Sequence, residues 1–324
     1  MELFLKIVAP IKSYDVSNFI HNLLLSLPAS ILIGIILFFI LGSIPKLKSK
    51  EYRFYIVFVS TIILSFTIAL YNLGISFETL LAIYSEWLHL IVRWVHIIVG
   101  VAWIGTSFYF NWLDSRLERD DPNFKHLDGY LWSVHSGGFY RIEKLKGPPN
   151  KLPKVLHWFK WEAYATWISG FVLLVLVYYL NASSMMLGSG SIQLSPLASI
   201  VISILLLLGS WLLYDFICKN SSENSQQTLI IIGFSIFVIM SYLLTHIYGS
   251  RAAYIHVGAI IGTLMAANVF RVIIPAQKNL VYAAENNKKP NLNLSLEAKN
   301  RSIHNNYFTL PVLFIMISSH FSFT

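Results

Sequence analysis

Residues 86–113 read EWLHLIVRWVHIIVGVAWIGTSFYFNWL. As a helix, a run of this length crosses a bilayer, which needs about 20 mostly apolar residues. It is not plain lipid solvent, because His89, Arg93 and His96 interrupt it. Ionisable groups inside a span are costly and mark function unless a neighbour explains them. Their i, i+4, i+7 spacing puts the three within about 40° of one another on one helix face. Gly100 and Trp103 continue that stripe, so the face is polar, then small, then aromatic. A flat ligand lying against the helix at Gly100 suits such a face.

Working outward, comparable apolar stretches lie near residues 28–45, 54–74, 162–180, 196–217, 228–247, 252–274 and 306–323. With 56% apolar and 12% charged residues, the chain has too much apolar surface for a water-soluble protein of its size. The sequence predicts an all-α, polytopic membrane protein, a bundle of about eight transmembrane helices. Residues 1–27 contain Pro10 and several polar groups without an A-x-A cleavage site, and are expected to form an interfacial segment. Residues 28–324 are expected to form one transmembrane domain with a cytoplasmic loop at 113–161.

The net charge of +8 invites a nucleic-acid reading, but its distribution points to a lipid membrane instead. If the connections near 45–53, 113–161, 218–227 and 275–305 share one side, 20 of the 24 Lys and Arg lie there, counting Arg271 at a helix end. The positive-inside rule makes that side cytoplasmic and puts the amino terminus outside. The one cysteine, Cys218, excludes a disulfide framework, and no CxxC or CxxCH occurs.

The loop at 113–161 has the aromatic content of ordered chain. Within it VHSGGFY sets His135 beside Gly137 and Gly138; a glycine pair lets backbone N–H groups approach an anion, or simply makes a turn. Glu162 and Asp215, near inner helix ends, are read as snorkelling or pairing with loops. The connection at 275–305 is read as a partly helical surface hairpin.

The predicted topology gathers further groups at the outer end: His246 closing the sixth helix, Arg251 in the next turn, His256 one turn into the seventh, and His320 ending the eighth. Paired imidazoles from facing helices are a usual way to hold haem b in a membrane. Haem iron is therefore expected between His96 and His256, with His89, His246 and Trp103 as further cofactor contacts. Arg93, His96 and Arg251 are the catalytic candidates, the arginines binding an anionic substrate or haem propionates and the imidazole accepting a proton. The plain alternative is that each histidine only hydrogen-bonds a neighbouring helix.

Five blocks carry a resemblance: LHLIVRWVHIIVGVAWIGTSFYFNWLDSRLE (88–118), GYLWSVHSGGFYRIEKLK (129–146), LHWFKWEAYATWISGFVLL (156–174), HVGAIIGTLMAANVFRVIIPAQ (256–277) and HNNYFTLPVLFIMISSH (304–320). Together they resemble the membrane domain of the bacterial membrane-bound urate oxidases of the urate hydroxylase (PuuD) type. The core WVHIIVGVAWIG is more loosely similar to the histidine-bearing helix of HemJ-type protoporphyrinogen oxidases. The resemblance implies oxidation of urate to 5-hydroxyisourate in purine breakdown at the bacterial inner membrane, with electrons passed to a cytochrome c rather than to O₂. In that family a c-type cytochrome domain follows the membrane domain. This sequence stops at Thr324 without one, so a separate cytochrome or a further part of the protein is expected to take the electrons. Two other functions fit the same residues, a urate or purine anion transporter and a membrane anchor for a separate cytochrome c.

Overall fold

The computed structural model describes residues 16–42, 50–149, 152–188, 192–220, 226–319 and 321. Most of residues 1–27 and the ring of His320 therefore lie outside the described residues. The chain divides into two units, residues 1–90 and 91–324.

In the first unit, α1 (Val16–Gly42) packs along α2 (Lys50–Asn72). α1 begins twelve residues before the expected span and carries Pro28 in its interior. Its contact face is a stripe at four-residue spacing, Ser26, Ser30 and Gly34. Small residues so spaced let two helices approach closely. Ser26 Oγ donates to Ser65 O at 2.9 Å across the pair, and a Cβ on Gly34 would run into Thr61 Oγ1. Leu70, Ile75, Leu80 and Ile83 close the end of the unit with Phe19 against them.

Helix α3 (Phe77–Arg116) is continuous for 40 residues, about 60 Å at 1.5 Å per residue. It holds the expected span at 87–112 and overshoots it at both ends. Beyond it the loop is ordered, but as strands. β1 (Leu127–His135) pairs antiparallel with β2 (Gly138–Leu145). Ser136 (φ 50°) and Gly137 (φ 77°) form the two-residue turn between them; two left-handed residues match the twist of a hairpin. VHSGGFY is thus a hairpin tip, and the anion-binding reading of its glycines gives way to the turn. Arg141 lies over the Phe124 ring at 4.3 Å and Tyr130 at 5.1 Å.

The helices that follow are α4 (Trp161–Leu174, extended by a π turn Val175–Tyr179), the single turn α5 (Ala182–Met185), α6 (Pro196–Asn220), α7 (Gln226–Ile247) and α8 (Ser250–Asn268). A second π turn, Val269–Ile273, leads into α9 (Ile274–Glu285). It ends two residues before Pro275, whose missing N–H and ring bulk break the regular bonding of an α-helix. Helix α10 (Leu292–Ser318) ends the described fold.

α8 is central: it packs against α4, α6, α7 and α10. Its composition explains this, since Ala252, Ala253, Gly258 and Ala266 leave room on several sides at once. α6 meets it with Ser199, Ser203, Leu207 and Ser210, all buried on one face. Among the described residues six helical stretches are long and apolar enough to cross a membrane. In α7 the apolar stretch is the shorter Ile231–Ile247, and α10 is polar through its first half. The connection at 275–305, expected as a surface hairpin, is helical nearly throughout, and its second helix buries Ala298, Arg301 and Asn305.

Candidate functional site

The histidine face of α3 docks on α4. His96 Nδ1 lies 3.0 Å from both Thr166 O and Ser169 Oγ. Two small residues allow this approach: a Cβ on Gly170 would sit 3.0 Å from His96 Cε1, and one on Gly100 would touch Thr166. A carbonyl accepts only, so the bond to Thr166 O puts the proton on Nδ1. Nε2 makes no hydrogen bond among the described residues.

His256 is the deepest histidine, with none of its surface exposed. Its Nδ1 donates to Ala252 O at 2.7 Å, which leaves Nε2 to accept from Ser203 Oγ at 2.7 Å. Ser203 in turn accepts from the Tyr179 hydroxyl at 2.7 Å, so the run Tyr179, Ser203, His256, Ala252 is satisfied at every member. Tyr248 stacks on the ring at 4.6 Å and Tyr178 meets its edge. Held this way, the Nε2 lone pair of His256 is spent on Ser203, and ligating iron would require it to give up that bond.

The other expected groups scatter. His246 is exposed, with Nδ1 3.1 Å from Tyr242 O and its ring against Tyr242. Arg93 and Arg251 are exposed, both within electrostatic reach of Tyr178, and neither forms an ion pair among the described residues. His89 is half-buried farther up α3. Trp103 does something different: it packs with Trp158, Tyr164 and Ile273 against buried Ala163, Val269 and Ile274.

There it forms one wall of a cavity of about 450 Å³ at the end of α3 that leads into the hairpin loop. This lies within the roughly 300–1,000 Å³ of small-molecule sites. Asn111, His157, Gln277, Asn305 and Asn306 line it beside the hydroxyls of Thr106, Ser107 and Ser302, and Phe110, Phe159 and Val269 are among the apolar residues around them. The side chains of Asn111, Gln277 and Asn306 have no hydrogen-bond partner among the described residues. Unspent amides beside an indole can bind a flat polar heterocycle by its edges and one face.

Asn305 is held rigidly from behind. Its Nδ2 donates to Met265 O at 3.0 Å, and its Oδ1 accepts from Asn268 Nδ2 at 3.0 Å. Asn268 also donates to the Tyr214 hydroxyl and accepts from Arg301 Nη1 at 3.3 Å. Arg301, 1% exposed, bonds Asp215 Oδ1 through Nη2 at 2.6 Å and lies over the Tyr214 ring. Lys219 caps Asp215 from the other side at 2.8 Å. Tyr214 lies 2.8 Å from His304 Nδ1. Asp215, expected to pair with a loop, is instead locked in an inter-helix ion pair. The sequence did not point to Arg301 and Asn305, because the last span was expected to begin at 306 and what precedes it to be surface, or to Asn268, an uncharged residue within the stretch at 252–274. A signal was present: Arg301, Asn305 and Thr309 recur at four-residue spacing, one polar face of a helix.

A family model described as "Urate oxidase N-terminal" matches residues 82–324. No curated protein and no solved structure matches the chain.

Proposed function

Since the chain belongs to the urate oxidase N-terminal family, we propose that it is the membrane-embedded catalytic part of a urate oxidase that delivers its electrons to a c-type cytochrome. The observation that carries this is the extent of the match, which takes in the α3 histidines, the cavity and the buried ion pair together. In the reaction, urate and one water give 5-hydroxyisourate, two protons and two electrons. The new oxygen comes from water, and the electrons go singly to two ferricytochrome c haems.

In this reading all eight long helices, α1 to α4, α6 to α8 and α10, cross the bilayer. α8 continues into α9 beyond the membrane. The basic connections, hairpin included, face the cytoplasm and the amino terminus lies outside, in accord with the loop charges. The His89 end of α3 then faces the side where c-type cytochromes reside.

Membranes containing the chain, supplied with ferricytochrome c under argon, test this. Loss of urate with two cytochromes reduced per urate is expected. Urate loss that requires O₂ and leaves the cytochrome oxidised refutes the electron route. Labelled urate that accumulates unchanged in sealed vesicles refutes the oxidase in favour of a transporter.

A further inference from the structure

We propose that the cavity walled by Trp103, Asn111, Gln277, Asn305 and Asn306 is the substrate site, built for a flat oxopurine and recognising it by amide pairing and stacking rather than by an ion pair. The proposal rests on the urate-oxidase reading and deepens it by placing the substrate.

Three properties of the cavity carry it. Its lining is chemically biased: four carboxamides converge on one volume at the end of a lipid-compatible bundle. A carboxamide offers N–H₂ and C=O side by side, the complement of a lactam edge, which is how Asn and Gln read a purine bidentately. An oxopurine presents several such edges. Second, the amides divide into fixed and free. Asn305 is locked through Asn268 to the Arg301–Asp215 ion pair, whereas Asn111, Gln277 and Asn306 have donors and acceptors to spare. A rigid anchor with spare partners around it is a preorganised polar site. Third, the indole of Trp103 supplies a stacking face within the same wall.

Among the described residues no Arg or Lys lines the volume, so in this site the negative charge of urate is met by amide N–H groups and the His157 ring. The cavity lies at the end of α3 nearest the hairpin, remote along the helix from Arg93. Trp103 is ten residues beyond Arg93, about 15 Å at 1.5 Å per residue.

Equilibrium binding of radiolabelled urate to the full chain purified in detergent, set beside turnover in membranes with ferricytochrome c, tests the site. Asn111→Ala and Gln277→Ala remove exposed side chains without internal bonds, so the fold is kept. Each is expected to weaken binding about two- to tenfold, the worth of one or two neutral hydrogen bonds. Gln277→Glu, which sets a carboxylate against an anion, should weaken it more than Gln277→Ala, and Gln277→Asn should weaken it less. Wild-type affinity in Asn111→Ala and Gln277→Ala, with binding lost in Arg93→Ala or Arg251→Ala, overturns the proposal while leaving the oxidase reading intact. A wild-type chain that binds no urate also overturns it. Binding that fails in the cavity variants, in a wild-type chain without turnover, upholds the site and overturns the oxidase reading.

Discussion

Replacing Arg301 by Met tests the part of the fold that stands behind the cavity. The guanidinium is 1% exposed and gives Nη2 to Asp215 at 2.6 Å and Nη1 to Asn268 at 3.3 Å. Removing it leaves the Asp215 carboxylate, 8% exposed, with Lys219 as its remaining partner. Breaking one side of a buried pair costs about 3–5 kcal/mol, because the other charge stays desolvated. Lys219 holds Asp215 Oδ2 at 2.8 Å, which puts the loss at the lower end, about 3 kcal/mol. At roughly 2–3 °C per kcal/mol for a chain of this size, the melting temperature falls by about 6–9 °C. The assay is intrinsic-fluorescence melting in detergent, repeated on Arg301→Met with Asp215→Leu. That double variant removes both charges and should recover most of the loss, since apolar replacement of a whole buried pair is near neutral. A single variant melting within 2 °C of wild type (roughly 1 kcal/mol), or a double variant no better than the single, refutes the reasoning. Asn268 also loses its anchor, so the Kd for urate should rise even where the fold survives.

Gly34→Leu should separate α1 from α2 at a cost of about 1–3 kcal/mol, read as faster proteolysis within residues 16–72, and Thr61→Ala should partly restore the pairing. His256→Ala strips the acceptor from Ser203 and the ring between Tyr248 and Tyr178, a loss of about 2–4 kcal/mol measured by melting; an unchanged midpoint would contradict the network described. In the hairpin the bond from Tyr130 to Asp121 pushes the phenol up to about 12. A raised folded value means that its contribution is complete below the ordinary value near 10 and is lost as pH climbs from there to about 12. Proteolysis of the hairpin should accelerate across that window and not do so in Tyr130→Phe. The Asp128 carboxyl, held low first by Lys144 and then by Arg119, works in the opposite direction. Its share is present above the ordinary carboxylate range and is lost as pH falls through the depressed value, an acid sensitivity that Asp128→Asn should abolish.

The long apolar helices were legible because twenty apolar residues in a row leave a chain few choices, and the polar stripe on α3 was legible because 3.6-residue periodicity places His89, Arg93 and His96 together. Two features escaped for physical reasons. The hairpin at 127–145 lies among Gly, Pro and aromatic residues that read as ordered loop, although two strand-like runs separated by Ser136-Gly137 carry the mark of a two-residue turn. The buried network escaped because its partners come from α6, α8 and α10, distant in sequence, and because Arg301 among Asn and Lys residues looks solvated until a carboxylate is found opposite it. The histidines show the converse. Their positions along the helices were readable, but whether a ring nitrogen is free depends on Ser203, Ala252 and Thr166, which no spacing reveals.

The pairing of α10 with α6 and α8 also orders the making of the protein. Arg301 is the tenth residue of α10, close to His304, Asn305 and Asn306, and a buried arginine is costly until a carboxylate meets it. Asp215 and Asn268 lie earlier in the chain, so their helices are made before α10. A chain that ends before residue 301 keeps Lys219 on Asp215 but lacks the buried partner that ties α6 to α10.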